Sequence, residues 1–471
     1  MCSTTLRLAV LLFVSGVTAT AAAQTYEYRI TEIHTVGNAF GEALNNAGHA
    51  TGIATQRCAG CSMEAYLWTG KQAAPFFGPL SSDWFYSWGR DVNYLGQITG
   101  QVALLREPNN TDSAYFRAFF WDGSTKTVLG TLGGDNSTGN AINARGHIAG
   151  QSDITNSLNP HAFKWDGTTM HDLGTLGGCC SAAHGINNAG HVTGVAWRAD
   201  NEQRAFLWDG TNMHDLGTLG GDSSFGTDIN ARGQVVGWSN AALGSRHAFV
   251  WQNGLMQDLG AIRTGPNGFA EATAINNAGQ IVGFSYLADG NTRRAVLWEN
   301  GKLIKLHDLN FANDPEALFI TFTEALDINN IGQILVDASK FKDGVVTDLQ
   351  AVLVSPAYKL SHYFAPQANS WRRGSTVRIA IAALDSKGVR IPDQRAVSLL
   401  AEPGCRVKVS ATGAQPLVST CMAYNATMNE FYFDWKLGST GTGAATIDVR
   451  VNYGAPGPLK VIKRKTISIT T

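Results

Sequence analysis

Charge is what this chain has least of. Asp, Glu, Lys and Arg make up 15% of its 471 residues, against about 25% in an average domain. The signs nearly cancel, with 37 acidic and 36 basic side chains. That balance is no footprint for a nucleic-acid partner, which would want a basic stripe. Long apolar runs are scarce too. After the first residues no stretch approaches the ~20 apolar residues that a spanning helix needs. Also absent are a nucleophile elbow, a metal-ligating triad and a convergent acid–base pair, so sequence alone marks no catalytic centre. Cysteine is sparse, with seven copies.

The first 23 residues read as a targeting segment. Arg7 is their only charge, an apolar run follows from Leu8 to Val14, and Ala21-Ala22-Ala23 offers small residues for cleavage before Gln24. Cys2 and Arg7 leave with that segment, so the remainder has six Cys and a net charge of −2. The expectation is a secreted protein, extracellular or periplasmic, monomeric and without a membrane span.

What the chain does have is glycine, 52 copies, and much of it is periodic. A pattern close to Ile-Asn-x-x-Gly-x-Val/Ile-x-Gly, followed in most copies by one close to Ala-Phe-x-Trp-Asp-Gly, recurs seven times. The Asn falls at Asn45, Asn93, Asn143, Asn187, Asn230, Asn276 and Asn329, at intervals of 48, 50, 44, 43, 46 and 53 residues. Strand-like segments punctuated by turn residues at such a period predict a β-propeller, one small sheet per repeat.

Residues 228–260 show the reading of one repeat. Asp228-Ile229-Asn230 ends a strand, Ala231-Arg232-Gly233 turns it, and Gln234 to Trp238 return. His247 to Trp251 make a third strand, turned by Asn253-Gly254 where other copies have Asp166-Gly167 or Asp209-Gly210. Met256 to Gly260 make the fourth. The Gly-Gly-Asp-Ser-Ser stretch from Gly220 reads as the long link between one sheet's outer strand and the next sheet's inner one. The last copy lacks a fourth strand, and residues 28–37 resemble the missing piece. The expected architecture is therefore all-β: a seven-bladed propeller over 24–356, closed by the N-terminal strand.

These motifs resemble the family of extracellular repeats named HAF, after the triplet seen at His161-Ala162-Phe163 and His247-Ala248-Phe249. Variants stand at Arg117-Ala118-Phe119, Arg204-Ala205-Phe206 and Arg294-Ala295-Val296, and Asp-Leu-Gly-Thr-Leu-Gly-Gly is intact at 172–178 and 215–221. The resemblance spans about residues 26–356. It implies a secreted β-rich repeat protein and supplies no catalytic residues.

From 357 the repeat stops. Segments at 377–381, 397–400, 406–409, 431–435, 446–451 and 465–469 read as strands, which suits an immunoglobulin-like β-sandwich over 357–471. Cys405 and Cys421 are expected to clasp two of its strands. Cys58 and Cys61 stand as Cys-Ala-Gly-Cys, and Cys179 and Cys180 are adjacent. Local structural disulfides lead for these four, with a metal site or pairing between the two groups as alternatives.

Repetition filters the candidates for function. The Trp of each Trp-Asp-Gly hairpin, and His171, His214 and His307 at one repeat position, read as structural; the seven Asn read as turn caps, with a ring of ligand contacts as the alternative. Departures from the repeat are the candidates. Before the second copy stand Asp83, Trp84, Phe85, Tyr86, Trp88 and Arg90, a loop of aromatics flanked by polar groups. In the fourth, Trp197 and Arg198 open a variable loop on the same expected face as Cys179-Cys180. A third departure is 311–323, with Asp314 and Glu316. Asp135 and Asp222 offer oxygens for calcium, without the dense carboxylate set such a site needs. The functional expectation is a non-catalytic binding protein that recognises an extracellular glycan, a surface polymer or a surface protein. A polysaccharide hydrolase or lyase is the alternative.

Overall fold

The computed structural model describes residues 28–33, 39–55, 63–70, 84–105, 114–309 apart from 266, 311, 319–342 and 345–356. It also describes the backbone of C-terminal strands between 358 and 470. The targeting segment, Cys58, Cys61, Cys405, Asp83, Asp314 and Glu316 lie outside the described residues, as do the side chains of Trp84, Phe85 and Cys421.

The described chain is all-β but for one short 3-10 turn, and its repeats form a propeller-like series of small antiparallel sheets. Four repeats give separate four-stranded sheets in simple up-and-down order, such as Gly220–Ile229, Val235–Ala241, Arg246–Gln252 and Leu255–Asp258. The first repeat gives three described strands, joined to the second repeat's four by a single parallel bridge between Met63 and Tyr86. In the last repeat, Val345–Pro356 takes its outer neighbour from the other end of the repeat region. Tyr28–Glu32 pairs with it antiparallel, Tyr28 facing Pro356 and Glu32 facing Val352.

Two strands depart from the sequence reading, both at their inner ends. The Gly-Gly-Asp-Ser stretch is strand from its first glycine, as in Gly177–Ile186 and Gly220–Ile229. The aromatic stretch before the second copy is likewise strand, Trp84–Val92, and no loop. The serine explains the first case. Ser137, Ser181 and Ser224 accept the backbone N–H of Ala118, Ala162 and Ala205 in the preceding repeat, and Ser87 does the same for Ala65. A segment bonded to its neighbour in this way is held extended. The alanine of the triplet is therefore fixed by contact: at zero exposure in Ala65, Ala118, Ala162, Ala205 and Ala248, it has no room for a larger side chain.

The other motif letters have equally local causes. Histidine bridges the third and fourth strands: His161 Nδ1 meets Asp172 at 2.9 Å and His247 Nδ1 meets Asp258 at 2.7 Å. His171 and His214 bind the hairpin aspartates Asp166 and Asp209, consistent with a structural role. Phe119, Phe163, Phe206 and Phe249 are fully buried, packed between successive sheets against apolar residues of their own repeat and of the preceding one, as Phe249 packs with Ile229 and Val235 of its own repeat and Leu216 of the one before. Each such side chain stabilises by about 1.5–3 kcal/mol. The glycine two residues into the second strand is steric. A Cβ on Gly52, Gly100, Gly150, Gly194, Gly237 or Gly283 would lie 1.8–2.0 Å from a carbonyl oxygen of the adjoining inner strand.

At the turn between first and second strands, the glycine has positive φ in all seven copies, from 74° at Gly233 to 91° at Gly190. The asparagine before it does more than cap. Its Oδ1 accepts the N–H groups two and four residues on, at 2.9–3.2 Å, in every copy. Its Nδ2 donates to the main-chain carbonyl of the next copy's asparagine at 2.8–3.1 Å. The series runs Asn45, Asn93, Asn143, Asn187, Asn230, Asn276, Asn329, and the last donates back to Asn45.

In the C-terminal part the backbone forms a five-stranded sheet in the order Ser370–Arg372, Lys460–Thr470, Gly443–Val451, Val407–Gly413, Val418–Cys421. Thr376–Ile381, Glu430–Lys436 and Ala423–Asn425 form a three-stranded one. The strand expected at 397–400 lies outside the described residues.

Asn187→Ala removes a turn cap and an inter-repeat bond from a side chain only 5% exposed. It should cost about 2–4 kcal/mol, since each buried group left unpaired costs about 1–3. Asn188→Ala loses one exposed bond, from Ala144 N–H, and should cost under about 1 kcal/mol. Equal midpoints for the two variants in urea unfolding would contradict the asparagine series as a main tie.

Candidate functional site

Aligning the inner strands on their asparagines separates two kinds of position. The two ends of these strands are chemically unlike. Near the asparagines all seven repeats line a cavity of about 190 Å³, and its walls are mostly the same residues repeated. Toward the other end, three and five residues before each asparagine, no two neighbouring repeats agree in full. Three before stand Glu42, Arg90, Asn140, His184, Thr227, Thr273 and Leu326; five before stand Phe40, Trp88, Thr138, Ala182, Phe225, Glu271 and Glu324.

These divergent side chains meet one another. Arg90 stacks over Trp88 at 3.8 Å from the ring centroid and pairs with Glu42 of the first repeat at 3.4 Å. Tyr86 meets Trp88 and Phe116 edge-on, each with centroids 6.3 Å apart. His184 lies 4.6 Å from the Phe225 ring, Phe225 stacks on Trp238 at 5.7 Å, and Arg246 covers Trp238 at 3.7 Å. Arg246 then pairs with Glu271 at 2.7 Å, and Arg293 with Glu324 at 2.8 Å. Glu324 faces Asp337 across the strand pair.

Of the residues singled out in the sequence, Tyr86, Trp88 and Arg90 belong to this cluster. The Trp88 ring is not a bare platform, because Arg90 covers it. Trp197 and Arg198 stand apart, at the end of Val192–Arg198 beside the Gly177-Gly178 stretch; Arg198 pairs with Asp200 and more loosely with Asp215. The sulfurs of Cys179 and Cys180 are close enough to bond, as expected. Asp222 spends a carboxylate oxygen on Asn240. Among the described residues no group of three His, Cys, Asp or Glu is placed to hold a metal ion. The sequence reading missed Glu42, His184, Phe225, Trp238, Arg246, Glu271, Arg293, Glu324 and Asp337. Their signal was available as variation at fixed offsets from an invariant residue, within strands rather than loops.

Electrostatics couples the repeats across the molecule. Burial pushes Asp337 up to about 7, with Glu324 and Glu42 adding to it. Burial also raises Glu42 and Glu324 against the pull of Arg90 and Arg293. His184 is pushed down to about 4 by burial, with Arg90 reinforcing the shift.

Deeper in, three aspartates do backbone work. Asp91 accepts the N–H of Val92 and of Ile142 in the next repeat, both at 2.7 Å. Asp228 serves Ile229 and Ile275, and Asp327 serves Ile328 and Leu44, in the same way. Burial raises all three, Asp91 to about 7, and the carboxylates repel one another: Asp228 and Asp91 both add to the rise at Asp327.

No family model matches the chain, and no curated protein matches it. Among solved structures it is similar to the extracellular domain of a hybrid two-component system from B. thetaiotaomicron, with 8% identity and a TM-score of 0.35 over 94% of this chain and 57% of that one. The chain thus spans little more than half the length of that relative. It is also similar to YCF48 bound to D1 peptide, with 12% identity and a TM-score of 0.37 over 71% and 96%. A lectin from Aleuria aurantia, in complex with alpha-methyl-L-fucoside, shows 12% identity and a TM-score of 0.25 over 70% and 96%. These likenesses are too slight to carry a ligand or an activity across. No helix among the described residues is long and apolar enough to cross a membrane.

The raised carboxylates set a pH dependence. Groups whose folded pKa lies above the unfolded value contribute stability that is fully present below the unfolded pKa. That contribution is lost as pH rises through the folded one. Asp91 and Asp337, both at about 7, place the loss between pH 4 and 7. His184, lowered to about 4, works the other way: its contribution is present above the unfolded value of 6.5 and lost as pH falls toward 4. The carboxylates outnumber it, so the unfolding temperature should rise between pH 7.5 and 5.5. His184→Gln should steepen that rise. A midpoint that falls over this interval in both proteins would contradict the assignment.

Proposed function

We propose that the chain is a secreted, HAF-type repeat protein whose repeats close as a seven-bladed propeller. Its divergent strand ends form a recognition surface for an extracellular glycan or surface polymer. The pairing of Tyr28–Glu32 with the last repeat supports closure, as does the asparagine series that returns to its start. The first 23 residues and the adjoining Cys179 and Cys180 support export. The five-stranded and three-stranded C-terminal sheets, antiparallel but for the Ser370–Arg372 strand, support an immunoglobulin-like module over 357–471.

One observation carries the functional reading. A scaffold that repeats itself at one end of its inner strands gathers non-repeating aromatics and Arg–Glu pairs at the other. Structural duty explains residues that recur, and binding explains a cluster of residues that do not. The chemistry suits a hydroxyl-rich ligand. Guanidinium donors and carboxylate acceptors stand side by side, as each hydroxyl requires, and ring edges supply apolar contact.

A second reading has its own support. Glu324 and Asp337 face each other on paired strands with Glu42 nearby, and a carboxyl held near 7 can donate a proton at neutral pH. That is the equipment of a polysaccharide hydrolase or lyase.

The test is a glycan array with the mature protein, Trp88→Ala and Trp238→Ala, each checked for folding by circular dichroism. Selective binding that weakens at least tenfold in either variant, a change of about 1.4 kcal/mol, is the expected result. Release of reducing ends from the bound glycan, lost in Asp337→Asn, would favour the enzyme. Absence of any binding by the wild type would sink the glycan reading.

A further inference from the structure

Two neighbouring repeats carry an aromatic ring, an arginine and a glutamate at the same places. In the fifth, the Arg246 guanidinium lies 3.7 Å over Trp238, and its Nη1 donates to Glu271 of the sixth repeat at 2.7 Å. In the sixth, Arg293 lies 4.4 Å over Phe284 and donates from Nη1 to Glu324 of the seventh at 2.8 Å. The positions correspond residue by residue. Each aromatic follows the second-strand glycine, Gly237 or Gly283. Each arginine stands three residues before that glycine's partner on the third strand, Phe249 or Val296. Each glutamate stands five before its asparagine. Elsewhere the aromatic's place is held by Ile53, Gln101, Gln151, Val195 and Asp337. The trio is a local duplication and not part of the repeat.

The two copies are also continuous. Phe269 lies 5.5 Å from Arg246, 6.1 Å from the Phe284 ring and 4.8 Å from Tyr286. Tyr286 Oη accepts from Arg293 Nε at 3.2 Å. Both arginines remain reachable, with side chains 36% and 46% exposed. Arg246 gives one of its donors to Glu271 Oε1, which leaves further N–H groups and the second carboxylate oxygen side by side.

Charge decides the ligand class. Each guanidinium is already balanced by a glutamate of the next repeat, so an anion arriving here would meet compensated cations. A pair of neighbouring hydroxyls meets a donor and an acceptor at no such cost. We propose that these two trios are equivalent subsites for successive units of one neutral, hydroxyl-rich polysaccharide. This rests on the reading that this end of the strands binds glycan. Holding one unit makes capture of the next intramolecular, so affinity should climb with chain length.

The experiment is calorimetric titration of the full mature chain with neutral gluco-, manno-, galacto- and xylo-oligosaccharides of one to six units, beside oligogalacturonides of the same lengths. At least one neutral series should gain more than tenfold from its shortest to its longest member. That affinity should change less than twofold between 50 and 500 mM salt. Arg246→Gln or Arg293→Gln should each abolish the length gain and halve the number of single units bound, leaving the intact trio's site. Arg246→Lys keeps an ion pair to Glu271 and should lose the gain without losing the fold, which separates recognition from a purely structural staple. A length gain untouched by all three variants overturns the paired subsites, and so does salt-sensitive preference for the acidic series. If Trp88→Ala abolishes binding while the arginine variants bind as wild type, the glycan reading stands and the trios are staples. If no glycan binds the wild type, the glycan reading falls first and the subsites fall with it.

Discussion

Every sheet in the repeat region hangs on one side chain that bonds in three directions. An asparagine Oδ1 closes its own turn by accepting two N–H groups, and its Nδ2 reaches the next asparagine's carbonyl. In four copies the remaining amide proton goes to a glutamine four residues on, as from Asn276 to Gln280 at 2.8 Å. All four hydrogen-bonding positions of the amide are then filled, at exposures of 3–5%. Aspartate would lack the donor, and glutamine would be a methylene too long for the turn. This residue ties local conformation to the angle between neighbouring sheets, so neither can drift without breaking the other.

The three buried aspartates complete the accounting of inward-facing amides. A carboxylate has two oxygens, and here each serves its own strand and the next. Asp91, Asp228 and Asp327 thus cover six of the seven amides that directly precede the asparagines. Seven is odd. The amide left over is that of Ile186, where Gly185 holds the aspartate's place and Ala141 holds it in the preceding repeat. A fourth carboxylate would add acceptors for one amide only and deepen a repulsion already strong enough to raise all three. The pattern of Asp, Ala and Gly at this position follows from that trade between hydrogen bonding and like charge.

Much of this was legible in the sequence because the determinants are local. Turn chemistry at Asn230 and Gly233, the hairpin dipeptides and the strand order all came from spacing and residue type. So did the pairing of the segment at 28–32 with the last repeat, since a motif missing from one end stood at the other. What failed was the boundary between link and strand. The Gly-Gly-Asp-Ser segments look like loops by composition, and what holds them extended is distant in sequence: pairing with the next strand, Gly220 facing Ala241, and the bond from Ala205 to Ser224, 19 residues apart. The candidate site was legible only in part, for a related reason. Trp88 and Arg90 announced themselves by clustering in sequence. Trp238, Arg246 and Glu271 are spread over 34 positions and meet only because strands of adjacent repeats align them.

That difference explains why the non-repeating side chains collect where they do. At the asparagine end the amide groups are spent on the scaffold, and any substitution there disturbs two sheets at once. At the other end the scaffold's demands are met by backbone pairing and by the serine clips, and the side chains beyond them are free to vary. The arginines there sit on aromatic rings and lean on glutamates of the next repeat, which holds them in place while leaving donors unspent. Preordered donors lose less entropy on binding than free ones. A surface of this kind can vary by one or two residues per repeat, with the asparagine series left untouched.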